Sequence, residues 1–205
     1  MLSSGAMGEG ISDWSRFERL TPFRVRDVLL VASHFDHYLL EESGYLAEIM
    51  QEEYSDLNLS QAPRIIHSPD ARDALRLLRA REFDLVITMT RVGEMDVKAF
   101  GTEAKRVIEG LPVVMLSHNT RELATLSAGD GIDRIFVWTG DSRILLSICK
   151  LLEDERNVEN DVRDGDVQVI LLIEDSRRFY SAYLPLLYTQ LVNQTTRLMG
   201  EGGNL

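Results

Sequence analysis

The chain has 205 residues, 44% of them hydrophobic, and a formal net charge of −11. That is enough apolar material for one packed domain and a substantial further piece. The acidic balance disfavours a broad interface with a phosphate backbone, so no nucleic-acid partner is expected, and the single cysteine, Cys149, excludes an internal disulfide or a Cys-rich metal cluster.

The opening stretch MLSSGAMGEGISDW has neither a basic n-region nor an apolar h-region, and no window reaches the roughly 18 apolar residues of a membrane span. A cytoplasmic protein with no membrane partner is expected. From residue 24 onward, short runs rich in Val, Ile and Leu alternate with segments of helical period, the rhythm of parallel strands joined by crossover helices. The predicted strands are DVLLVAS (27–33), RIIH (64–67), DLVITM (84–89), PVVML (112–116) and RIFVW (134–138).

The intervening helices carry start and stop signals. Ser68 followed by Pro69 predicts an N-cap and a first-turn proline for DARDALRLLRA, whose Ala74, Leu75, Leu77 and Leu78 form an apolar stripe. Asp96 caps VKAFGTEAKRVIEG, closed by Gly110 and Pro112, and Asp141 caps the helix after the fifth strand. Cys149 lies in the apolar run RILLSICKLL of that last helix and reads as a buried, inert thiol.

The last helix is long. Ile144, Ile148, Leu151, Val158 and Val162 keep a spacing near 3.5, interrupted by Glu155, until Gly165 offers a stop. A helix over about 141–163 would reach about 35 Å, past the sheet of a small domain. Its second half, EDERNVENDVRDGD, has two readings: a solvated linker, or a signalling helix that pairs with another copy. Beyond it, VQVILLIEDSRRFYSAYLPLLYTQLVNQ repeats the opening layout of apolar strand, polar break and helix. One such unit cannot bury its own apolar face, so residues 167–205 are expected to pack on the first domain, on another copy, or within a longer parent chain.

The five βα units, with FDLVIT…EMD, LPVVMLS and GIDRIFVW in this order, resemble the receiver domain of two-component response regulators over about residues 24–155. The resemblance implies an α/β fold of flavodoxin-like (CheY-like) type, a doubly wound parallel five-stranded sheet of order 2-1-3-4-5, with its site at the carboxyl ends of the strands. Residues 1–23 would be an N-terminal extension, 156–166 an acidic linker or helix extension, and 167–205 the truncated start of a second receiver.

Set against the family's pattern, the first unit lacks its chemistry. The two Mg²⁺ acids after the first strand fall at Ala32 and Ser33, and the phospho-accepting aspartate falls at Met89, whose thioether is no phosphate nucleophile. The lysine after strand five falls at Trp138; only the hydroxyl after strand four is kept, as Ser117. Phosphoryl transfer depends on metal and cation to neutralise the moving oxygens, so a pseudo-receiver that keeps the fold without the phosphorylation is expected. Asp84 starts the same strand as Met89, about 16 Å away at the opposite end of the sheet, and Glu94 and Asp96 read as loop and cap residues. His34 and His37 in SHFDH share a helix face with no third imidazole or cysteine nearby, and read with Asp36 as helix-start polar residues. In the tail, Glu174 and Asp175 fall where the first unit has Ala32 and Ser33. They would be Mg²⁺ acids only in a complete second receiver and otherwise serve as helix-start carboxylates.

The expected function is a non-catalytic signalling module with no cofactor. It would act on a protein partner or as a homodimer through the helices after the fourth and fifth strands, the long extension, and the C-terminal helix with its stripe of Phe179, Tyr180, Tyr183, Leu184, Leu187, Leu191 and Val192. Phe136 and Trp138 border that surface. Two alternatives accompany it. FRVRDVLLVASHFDHYLLEESG and LNLSQAPRI also resemble receiver-like segments ahead of phosphoenolpyruvate synthase-like (PEP/pyruvate-binding) modules, whose catalysis would lie beyond residue 205. A pocket around Met89, Ser117 and Trp138, relined with apolar groups, would instead suit an organic ligand.

Overall fold

The chain is known as a computed structural model that describes residues 21–42, 62–118, 128–129, 131–165 and 167–202. Its elements are β1 (Asp27–Val31), α1 (His34–Glu42), β2 (Arg64–Ser68), α2 (Ala71–Ala80), β3 (Leu85–Met89), α3 (Val97–Val107), β4 (Val113–Ser117), β5 (Arg134–Val137), α4 (Arg143–Gly165) and α5 (Arg177–Gly202). All five predicted strands form, each within two residues of its expected ends. They make one parallel sheet of order β2-β1-β3-β4-β5, the doubly wound flavodoxin-like arrangement.

The near-continuous apolar strands follow from burial on both faces. Leu29 and Val31 of β1, Val86 of β3, Val113 and Met115 of β4 and Ile135 of β5 share a core with Ala71, Ala74, Leu75 and Leu78 of α2 and Phe100 and Ala104 of α3. Strand alternation puts Leu30, Ile87, Leu116 and Phe136 on the opposite face. They are buried too, as are Leu40 of α1 and Ile144, Leu145 and Ile148 of α4. The Ser142 hydroxyl donates to the Leu40 carbonyl (2.8 Å), joining the end of α1 to the start of α4. Asp84 lies at the amino edge, where its carboxylate accepts from the Arg26 and Asp27 backbone N–H groups.

Two helix starts are informative. Ser68 and Pro69 precede α2 without capping it; Asp70 is the N-cap, extended at φ −153°, with its carboxylate accepting from the Asp73 N–H at 2.9 Å. Ser68 instead closes β2 and donates its hydroxyl to the Asp70 carbonyl. Asp96 caps α3 as expected, through the Lys98 and Ala99 N–H groups. Further along α3, Gly101 meets the loop before β5 backbone to backbone: a Cβ there would lie 2.5 Å from the Gly131 carbonyl oxygen.

The chain divides into two compact units, residues 25–149 with 173–205, and residues 1–24 with 150–172, so that α4 is shared between them at Lys150. In the smaller unit the acidic half of α4 is not merely a solvated linker. Asn157 is fully buried; its side-chain oxygen accepts from the Phe23 N–H (2.9 Å) and its NH₂ donates to the Phe23 carbonyl (2.7 Å), while Arg156 covers the Phe23 ring at 4.3 Å. The helix runs to Gly165, the predicted stop.

The extra C-terminal unit is half as expected. Residues 167–174 form no strand, and Leu171 and Ile173 are 78% and 82% exposed. A strand needs a neighbour for its N–H and C=O groups, and none is paired with this run among the described residues. The helix does form, and in the larger unit it packs against β5. Trp138 N–H bonds to β4 through the Ser117 carbonyl, so the preceding Val137 N–H points to the open edge of the sheet. There it donates to Ser181 Oγ of α5 (2.9 Å), whose hydroxyl donates onward to the Arg177 carbonyl. Tyr180 lies against Phe136, with ring centroids 6.1 Å apart, and Leu184 is buried.

Candidate functional site at the carboxyl edge of the sheet

Parallel register brings the carboxyl ends of β1, β3, β4 and β5 side by side: Val31 pairs with Thr88, Met89 with Leu116, and Ser117 with Val137. One residue further along lie Ala32, Thr90, His118 and Trp138. Ala32, Met89, Ser117 and Trp138 therefore lie at this one edge. Ala32 and Ser117 are fully buried and Met89 is 1% exposed.

The surroundings of Ser33 settle whether these residues fit a divalent ion. Its hydroxyl donates to Asp36 Oδ2 (2.7 Å) and accepts from the Asp36 N–H, which makes it the N-cap of α1. Asp36 Oδ1 faces His118 Nε2 at 3.1 Å. Ala32 has no ligand atom in its side chain, the carboxylate nearest in sequence is already engaged, and no group of three His, Cys, Asp or Glu side chains among the described residues is placed to hold a metal. Among the described residues, this edge does not fit Mg²⁺.

Trp138, just past β5, is 8% exposed, and its indole Nε1–H is buried with no hydrogen-bond partner among the described residues. The His118 ring stands edge-on to it, centroids 4.8 Å apart. Across the edge, His37 of α1 stacks on His67 of β2 at 3.9 Å, His34 meets the same ring at 5.7 Å, and His67 Nε2 donates to the Ala32 carbonyl (2.7 Å). Burial, and then the neighbouring His67 imidazole, hold His37 below the ordinary value of 6.5, against the pull of Glu41. Along the chain no third imidazole lies near His34 and His37; the fold brings one, His67, from a strand end 30 residues away. His67 and His118 each fall at or just past the end of a predicted strand, and that is the signal by which they are legible once the strand order is known.

Glu174 turns back on its own backbone, accepting from the Ser176 N–H at 2.8 Å, and Asp175 stands at the bend before α5. Both occupy the start of a helix. The region after β4, where the resemblance places a fourth helix, lies outside the described residues over 119–127.

Known structures share this architecture. The response regulator receiver domain protein (CheY-like) of Methanospirillum hungatei JF-1 superposes with a TM-score of 0.50 at 18% identity, over 66% of this chain and 98% of that one. The fold is that of a response-regulator receiver domain. Chemotaxis response regulator CheY4 of Vibrio cholerae (TM-score 0.48, 17% identity, 62% and 98% covered) and the signal receiver domain of an HD domain-containing protein from Pseudomonas fluorescens Pf-5 (0.45, 22%, 68% and 94%) are also similar. No protein-family model and no curated protein matches the sequence. In the receiver frame, the edge built from Ala32, Met89, Ser117 and Trp138 is the one at which such folds place their site. No helix among the described residues is long and apolar enough to cross a membrane.

Proposed function

We propose that the protein is a receiver-fold regulatory module that signals by protein contact and carries out no phosphoryl transfer. The observation that carries this reading is the carboxyl edge itself. The acceptor position is a methionine closed to solvent, the acid positions are Ala32 and the capping Ser33, and the lysine position is a buried indole. Phosphoryl transfer there would lack a nucleophile, a metal and a cation at once. Incubating the chain with acetyl phosphate and Mg²⁺ and weighing it intact tests the reading. No added phosphoryl mass is expected, and a stoichiometric adduct overturns it.

Its partners are read as proteins, among them a second copy through the outward face of α5. Residues 167–174 also belong to this reading. They are apolar without alternation, as a central strand of a parallel sheet is, which supports taking 167–205 as the start of a second receiver-like unit.

A further inference from the structure

All four histidines of the chain, His34, His37, His67 and His118, lie at the carboxyl edge, around the first turn of α1. We infer that this edge takes a proton as its ligand, and that protonation shifts the hold on α1 from β2 towards β4. The inference rests on the receiver-module reading and names its input signal.

α1 is held at its start from two sides. On the β2 side, the His37 ring lies flat against His67 at 3.9 Å, with His34 edge-on to the same ring. The Ala32 carbonyl can only accept, so His67 Nε2 carries a hydrogen in both charge states and gains its extra proton at Nδ1. Charging both stacked rings sets two cations face to face, which like charges in a partly dry site resist. Glu41, 3.6 Å from His37, offsets part of that repulsion, and His34 adds to it. On the β4 side the response is opposite. Asp36 Oδ2 is taken by the Ser33 hydroxyl and Oδ1 faces His118 Nε2, so a proton on His118 turns this contact into an ion pair. Acid therefore weakens one hold and strengthens the other.

The direction follows from linkage. His37 has its proton affinity lowered in the docked state, chiefly by burial and then by His67. The stacked arrangement is then fully favoured above the ordinary imidazole value of 6.5 and loses that advantage as pH falls below it, through the depressed value. One group shifted by one unit changes the docking equilibrium by up to about tenfold.

The test follows each imidazole of the whole chain by NMR, with hydrogen exchange of the α1 amides, between about pH 8 and about pH 5. His67→Gln, which keeps a donor for the Ala32 carbonyl, should bring the His37 midpoint back towards 6.5. In the parent, α1 amides near His37 should exchange faster in acid once intrinsic rates are removed. His118→Gln should deepen that acid loosening without moving the His37 midpoint. Where His67→Gln fails to fold, His37→Gln tests the same hold and should remove the acid loosening of the α1 amides. A His37 midpoint indifferent to His67, or α1 exchange that is flat across the range, overturns the inference. A phosphoryl adduct would sink the phosphorylation-free reading while leaving the imidazole coupling standing, so the two failures are distinguishable.

Discussion

Met89 ends β3 at the carboxyl edge of the sheet and is 1% exposed. The register of five apolar runs is enough to place it where an acceptor would stand. Its near-complete burial, and that of Ser117, comes from strand ends packing against one another, which no local pattern reports. Restoring the carboxylate should therefore not restore the chemistry. Met89→Asp would place a carboxylate at an enclosed strand end between β1 and β4, at a cost of about 3 kcal/mol or more. We expect a clearly lower urea midpoint and no phosphoryl adduct from acetyl phosphate and Mg²⁺; a variant as stable as the parent, or one that takes up phosphate, would show that the edge retains more of its chemistry than these residues suggest. The histidines teach the complementary lesson. His34 and His37 are visible as a pair three apart, but His67 and His118 join them only through the crossover topology.

Among the elements, the strands and the helices α2 to α4 were written in periodicity, and the cap at Asp96 in residue type. The misreadings arose where a local signal met a competing geometry. Ser68 and Pro69 imitate a helix start, but Ser68 is the last residue of β2 and Asp70 has the free extended backbone from which to cap. The run at 167–174 has a strand's composition and lacks a strand's neighbour. The role of α5 could not be read from its own pattern, because it depends on the unpaired edge of β5. That role is testable: Ser181→Ala removes the acceptor for the outward Val137 N–H in a buried setting, and an unsatisfied buried donor costs about 1–3 kcal/mol. Equilibrium unfolding should show a loss of that size, and Ser181→Thr, which keeps the hydroxyl, should recover most of it. Equal stability of the alanine variant would mean that water reaches this edge and that α5 does not close it.

For the whole molecule, the question is what meets the outer side of α5. Ser181, Leu184 and Pro185 are the buried side of this helix, while Phe179, Tyr183 and Leu186, spaced four and three apart, are each about half exposed. That spacing is a heptad seam, and it faces away from β5. Residues 179–196 carry no charge in a chain of net −11, so two copies brought together on this surface would not face the repulsion that opposes contact elsewhere. An antiparallel pair centred on Tyr183 would set Phe179 of one copy against Leu186 of the other and keep the two Arg177–Arg178 ends apart. Three half-exposed side chains bury on the order of 100 Å² each, about 600 Å² for the pair, which is below the roughly 1,200 Å² of a stable interface. The association should accordingly be weak and concentration-dependent. Screening the like net charge should strengthen it, so the sedimentation coefficient is expected to rise with protein concentration and further with added salt. Tyr183→Glu, which sets two carboxylates against each other on the axis, should return the chain to a monomer under every condition without unfolding it. A parent that stays monomeric at high concentration and high salt, or a glutamate variant that still associates, would leave the α5 seam to a different protein partner.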